Sequence, residues 1–248
     1  MRRLWILSGI LIVAALTLYA CRMRAADTSS GEHDASDSPR MPADPHYAGK
    51  FSFLALGDSY TIGESVEPKD RWPVQLAAMM RATGVDLSDP QIIAVTGWTT
   101  GDLLAVMNRT KLADRYDLVM LLIGVNNQFQ HRPLAEYRNQ FSELLSRAIR
   151  LAGGNKNHVV VLSFSDWGVT TFGQQVENDD VSADVDRFNA ANLELSKQAD
   201  VKYVDITPIS RQMADHPGAL ADDGLHPSAE QYTAWAKLAL PAVQAAFR

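Results

Sequence analysis

The chain has 248 residues, 46% of them hydrophobic, and a single cysteine, enough to bury a substantial core in one domain of about 200 residues behind an atypical front end. Its formal net charge is −6, with acidic and basic residues interspersed and no Lys/Arg block beyond the extreme N-terminus, which argues against a nucleic-acid partner. One cysteine excludes an internal disulfide and a CxxC metal site and makes zinc a poor fit, though His and carboxylate ligands alone can bind a metal.

Residues 1–20 read as a signal peptide for export: Arg2 and Arg3, the apolar stretch Leu4 to Ala20, then Cys21. The stretch is slightly short of the roughly 20 apolar residues of a spanning helix. Leu18, Tyr19, Ala20 and Cys21 resemble the lipobox of bacterial lipoproteins, with Tyr19 departing from the small residue usual there. The resemblance implies cleavage before Cys21 and lipidation of that residue. The alternative is a retained anchor over Leu4 to Ala20. Either way the remainder lies outside the cytoplasmic membrane, in the cell envelope. Residues 21–49, rich in Ser, Asp and Pro with almost nothing apolar, read as a flexible linker; His33 and His46 are solvated there rather than ligands.

From residue 50 to 248 the pattern alternates between strand and helix. Phe51 to Leu56 is an apolar run that breaks into Gly57, Asp58, Ser59, Tyr60, Thr61, Ile62, Gly63 and Glu64, a short buried strand followed by a sharp turn that displays a serine. By itself Ser59 is equally a cap or turn residue. A helix opens at Trp72 and Pro73 and closes at Gly84. Gln91 to Val95 is a strand, ending in a Gly97 loop where a threonine can cap the helix that carries Leu103, Leu104 and Met107. Leu118 to Ile123 is almost wholly apolar, as a parallel strand covered on both faces would be. A loop is expected over Gly124 to Arg132, then a helix with Leu134, Tyr137, Phe141, Leu144, Leu145 and Ala148 on one face. Val159 to Leu162 and Lys202 to Val204 are strands on either side of a helix marked by Val181, Val185, Phe188 and Leu195. A loop leads to Asp222, and a final helix from Ser228 is expected to break or kink at Pro241.

This alternation predicts a three-layer α/β/α sandwich on a parallel central sheet of about five strands. In such a sheet the site lies at the carboxyl ends of the strands, and Ser59, Gly97 and Asn126 each fall just past one.

Four blocks occur in order: Gly57, Asp58, Ser59, Tyr60; Gly97; Gly124, Val125, Asn126, Asn127; and Asp223, Gly224, Leu225, His226. Their order resembles the SGNH hydrolases, or GDSL esterases and lipases, over about Phe51 to Phe247. The third block departs from the family pattern, with Asn127 where Asp is usual. The resemblance implies a Ser59 nucleophile, His226 as its base, Asp223 rather than Asp222 as the partner of His226, and an oxyanion hole made by the backbone N–H groups of Ser59 and Gly97 and the side-chain amide of Asn126. It implies no metal or organic cofactor.

The chemistry requires these residue types. A serine hydroxyl becomes a good nucleophile when a base takes its proton, and an imidazole titrates near the working pH. A carboxylate behind it fixes the tautomer and stabilises the imidazolium, and fixed donors stabilise the oxyanion. Asp58 holds the turn through backbone hydrogen bonds rather than reacting. Trp98, Phe129, Trp167 and Phe172 either line an acyl or sugar pocket or pack at the sheet's end. The expected function is hydrolysis of carboxylic esters, with short acyl chains and acetyl groups on small-molecule or polysaccharide substrates foremost. Long-chain lipase or thioesterase activity is an alternative, as is a lipoprotein that binds carbohydrate or lipid on the same fold without turnover. Oligomeric state is not legible.

Overall fold

The computed structural model describes residues 48–176, 180–213 and 216–248. Residues 1–47, with the signal, Cys21 and most of the linker, lie outside the described residues.

Five parallel strands form one sheet: β1 (Phe53–Gly57), β2 (Gln91–Ala94), β3 (Leu118–Leu122), β4 (Val159–Leu162) and β5 (Lys202–Val204), in the order β2-β1-β3-β4-β5. The three central strands β1, β3 and β4 are buried at every residue, which is why their sequences are unbroken apolar runs rather than alternating ones. Register is set by pairs such as Gly57 with Ala94 and with Leu122. β1, β2 and β3 therefore end level, and the loops leaving them share one rim.

Helices cover both faces. On one, α2 (Trp72–Ala82), entered through Pro73, packs against the C-terminal helix α8 (Ala229–Gln244). Gln75 joins them, donating to the Ala229 carbonyl at 3.1 Å and accepting from Thr233 Oγ1 at 2.5 Å. On the other lie α3 (Thr100–Arg109), α5 (Leu134–Leu151) and α6 (Val181–Gln198), with α5 packed between its neighbours. The buried residues of α5, Tyr137, Phe141, Leu144, Leu145 and Ala148, fall on the face that its three- and four-residue spacing predicts. The architecture is the expected α/β/α sandwich.

Three expectations are corrected. Gly124 to Arg132 is not all loop, because Val125–Phe129 forms a short helix, α4, too brief and polar to have a helical period. The stretch between β5 and Asp222 holds another, α7 (Thr207–Gln212), with Pro208 in its first turn. The last helix does not break at Pro241 but continues to Gln244, with the Ala245 N–H bonding the Pro241 carbonyl. A proline removes one helical N–H, and the burial of Ala239 and Val243 on either side keeps the chain helical.

Candidate active site

The chain order β2-β1-β3 means that β1 connects outward to one side and β3 begins on the other, so the rim between β1 and β3 is the topological switch point where α/β sheets place their sites. The first block leaves β1 there. A Cβ on Gly57 would lie 2.0 Å from Thr61 Oγ1 and 2.4 Å from the Leu122 carbonyl oxygen, so only glycine lets the chain fold back so closely over β3. The next residues form a single helical turn, α1 (Ser59–Ile62), capped by Asp58, whose Oδ1 accepts the Tyr60 N–H at 3.1 Å. Because the cap falls on Asp58, the Ser59 hydroxyl is not used to hold the turn, and Ser59, 5% exposed, stands first in α1, where its N–H has no intrahelical acceptor.

Asp58 itself is fully buried. Burial pushes its carboxyl up to about 7, only partly offset by the N–H groups of Tyr60, Gly124 and Asp58. Its Oδ2 lacks a well-formed hydrogen bond, so the carboxylate form gains little there to offset its burial.

The second and third blocks meet beside this turn. Gly97, at φ 84°, and Trp98 present carbonyls to α4: Asn126 Nδ2 donates to the Trp98 carbonyl at 3.0 Å, and Gln130 Nε2 to that of Gly97 at 3.3 Å. An amide nitrogen carries two hydrogens, so the bond to Trp98 orients Asn126 and leaves a second donor. Asn127 is wholly buried and points elsewhere, its Oδ1 accepting the Thr100 N–H at 2.9 Å and its Nδ2 donating to Thr100 Oγ1 at 2.8 Å. The side chain at the departure from the family pattern thus anchors the first turn of α3.

The fourth block is the tip of a narrow loop closed by the bridge between Leu220 and Pro227 and by the Ala221 N–H bonding the His226 carbonyl at 2.8 Å. Gly224 turns the tip at φ 67°, a left-handed conformation that glycine adopts without strain. Asp223 and not Asp222 faces the imidazole: its Oδ2 lies 2.7 Å from His226 Nδ1, and its Oδ1 accepts the N–H groups of Leu225 and His226 at 2.9 and 2.8 Å. Burial alone would raise the Asp223 carboxyl; the Ser65 hydroxyl, those two N–H groups and the His226 side chain outweigh it and bring it down to about 2. With Nδ1 donating to a carboxylate, the lone pair sits on Nε2, the arrangement of a general base. The edge of Tyr60, the residue after Ser59, meets the His226 ring with centroids 5.8 Å apart, which brings the fourth block onto the Ser59 turn.

Of the four aromatic candidates, Trp98 is partly buried against the core. Phe129, 42% exposed, forms a cluster with Trp167 and Phe172, at ring centroids 5.2 and 6.4 Å. Trp167 is fixed by its Nε1 donating to Gln128 at 2.7 Å, and the Phe172 N–H bonds the Gly224 carbonyl at 2.9 Å. The cluster therefore spans from α4 to the His226 loop, with one ring open to solvent.

Sequence reasoning missed two contributors, the Tyr60 ring against His226 and the Ser65 hydroxyl on Asp223. Each contact spans over 150 positions, and neither residue type carries a local signal. Among the described residues no three His, Cys, Asp or Glu side chains are grouped to hold a metal ion, and no helix is long and apolar enough to cross a membrane.

No curated protein sequence matches the chain. Solved structures do. The acetylxylan esterase Axe2 from Geobacillus stearothermophilus is 18% identical over 79% of this chain and 95% of its own, with a TM-score of 0.61. A member of the lipolytic G-D-S-L family from Veillonella parvula is 17% identical over 77% and 96%, TM-score 0.57. LAE5, an alpha/beta hydrolase enzyme from the metagenome of Lake Arreo, Spain, is 19% identical over 81% and 98%, TM-score 0.61. At these identities the likeness is one of fold. The family model for GDSL-like lipases and acylhydrolases matches residues 55–234, the span that holds all four blocks, and the chain belongs to that family of SGNH-type carboxylic ester hydrolases.

Proposed function

We infer that this chain hydrolyses short-chain carboxylic esters, acetyl groups on carbohydrate among them, through an acyl-enzyme on Ser59. The observation that carries the reading is the Asp223–His226 hydrogen bond of 2.7 Å, held in a loop that packs on the Ser59 turn through Tyr60. His226 Nε2 takes the Ser59 proton as Oγ bonds the ester carbonyl carbon. The oxyanion meets the N–H groups of Ser59 and Gly97 and the second amide hydrogen of Asn126. Collapse breaks the bond to the alcohol, which leaves with the proton from His226. Water then repeats the sequence on the acyl-enzyme, giving the acid and free Ser59.

The preference for acetylated carbohydrate draws on the fold shared with the acetylxylan esterase Axe2 and on the solvent-open Phe129 ring, a surface on which an apolar acyl chain or the face of a sugar can pack. The proposed address is the bacterial cell envelope, with a lipid on Cys21 as the membrane anchor; Arg2, Arg3, the apolar stretch Leu4 to Ala20 and the position of Cys21 behind it support this reading.

Labelling with a fluorophosphonate tests the mechanism: wild type should react and Ser59→Ala should not. Folded wild type that takes no label would refute the hydrolase reading in favour of a binding protein. A panel of p-nitrophenyl esters from acetyl to palmitoyl, with acetylated xylo-oligosaccharides, tests the substrate; preference for palmitoyl would overturn the short-chain assignment. A globomycin-sensitive mobility shift, lost in Cys21→Ser, tests the lipid, and unchanged mobility would count against it.

A further inference from the structure

Asp223 accepts four hydrogen bonds. Three come from its own loop, the N–H groups of Leu225 and His226 on Oδ1 and His226 Nδ1 on Oδ2. The fourth comes from a distant part of the chain: Ser65 Oγ donates to Oδ2 at 2.6 Å, onto the same oxygen that orients the imidazole.

Ser65 is rigidly related to the nucleophile. The Ser59 carbonyl accepts the N–H groups of both Gly63 and Glu64 at 3.0 Å, so the chain reaches Ser65 directly from the end of α1. The neighbouring Glu64 side chain bonds Thr96 Oγ1, in the loop that carries Gly97. One short turn therefore reaches from Ser59 to the Gly97 loop on one side and to Asp223 on the other. Ser65 also has φ 65°, the left-handed region that a residue with a Cβ enters at a cost of about 1 kcal/mol or more. Glycine would occupy that backbone without strain but has no hydroxyl to offer.

We propose that Ser65 is a positioning residue of the hydrolytic site, which ties the Asp223–His226 pair to the Ser59 turn and shares the carboxylate oxygen used by His226. The proposal rests on the reading of Ser59 as nucleophile and His226 as base. Without the hydroxyl the loop loses its hydrogen bond to the turn that follows Ser59, and Oδ2, relieved of one of the donors that hold the Asp223 carboxyl down, becomes a stronger acceptor for the imidazolium.

The test compares Ser65→Gly, Ser65→Ala and Ser65→Thr with wild type, using p-nitrophenyl acetate hydrolysis, its pH profile, thermal melting and fluorophosphonate labelling. The Gly variant relieves the backbone and should melt no lower than wild type, yet lose about tenfold in kcat, short of the about 10²-fold attached to ångström-scale misplacement. The Ala variant should lose as much. The Thr variant keeps the hydroxyl and should return kcat to within about threefold, despite a lower melting temperature from its β-branch. The acid limb of kcat/KM should move to higher pH in the Gly variant. A loss of threefold or less in the Gly variant, a Thr variant no more active than Gly, or an unmoved acid limb would each overturn the proposal. Unlabelled wild type would overturn the hydrolase reading and this proposal with it, whereas labelled wild type with a fully active Gly variant would overturn this proposal alone.

Discussion

Asn127 and Thr100 are joined twice in the interior, Asn127 Oδ1 to the Thr100 N–H at 2.9 Å and Asn127 Nδ2 to Thr100 Oγ1 at 2.8 Å. The pair links α4, which carries Asn126, to the first turn of α3, which follows the Gly97 loop. The Thr100 hydroxyl, having accepted from Asn127, donates onward to Gln140 Oε1 at 2.5 Å. An aspartate at position 127 could accept from the Thr100 N–H but has no hydrogen to give its hydroxyl. Asparagine therefore satisfies the buried donor that an acidic residue would and keeps the hydroxyl chain running in one direction.

Asn127→Ala should accordingly strand the buried Thr100 N–H and lower stability by about 1–3 kcal/mol, and it should reduce kcat by letting the Gly97 loop drift from Asn126. Asn127→Asp, which retains the acceptor, should keep activity within about tenfold of wild type. Urea denaturation and p-nitrophenyl acetate kinetics measure both; an Ala variant as stable and active as wild type would contradict the bracing role.

Asn126 is a case where activity and stability should separate. Its side chain is half-exposed and makes one bond, to the Trp98 carbonyl, so Asn126→Ala should change stability by only about 1 kcal/mol. Loss of an oxyanion donor should nevertheless lower kcat by about 10²–10³-fold, or roughly 2.7–4 kcal/mol of transition-state stabilisation. A kcat within tenfold of wild type, measured on the same ester, would remove Asn126 from the oxyanion hole.

Asp58 predicts a pH dependence of stability with a definite sign. Its carboxyl is raised from 3.8 to about 7 by burial, so below about pH 4 folded and unfolded states both hold the proton. Between about 4 and 7 only the folded state does, and stability falls as pH rises, by up to about 1.4 kcal/mol per pH unit. Above about 7 the loss levels off, at roughly 4 kcal/mol at most. Asp58→Asn keeps an acceptor for the Tyr60 N–H and removes this slope. In urea titrations between about pH 4 and 8 the variant should gain on wild type as pH rises; parallel curves would show that Asp58 does not titrate in this range.

The alternation of strands and helices was legible because each element announces itself locally. β3 and β4 are pure apolar runs, and α5 has a helical stripe bounded by Pro133 and paired glycines. The elements that escaped notice, α4 and α7, are five and six residues long, shorter than two helical turns, so no period can establish itself. Pro241 misled for the opposite reason: the local penalty for proline is real, and burial of the flanking helix outweighs it.

The sequence by itself determined which residue types stand at the strand ends and in what order, because strand burial, turn chemistry and block spacing are properties of short segments. Only the tertiary structure decided what those residues do to one another. It set the Asp223 carboxylate 2.7 Å from His226 Nδ1, gave the Asn127 side chain to Thr100, and brought Ser65 onto Asp223 Oδ2 across 158 positions of chain. Directional hydrogen bonds of this kind depend on ångström-scale placement by the packed sheet and its helices, and no local pattern of residues encodes that.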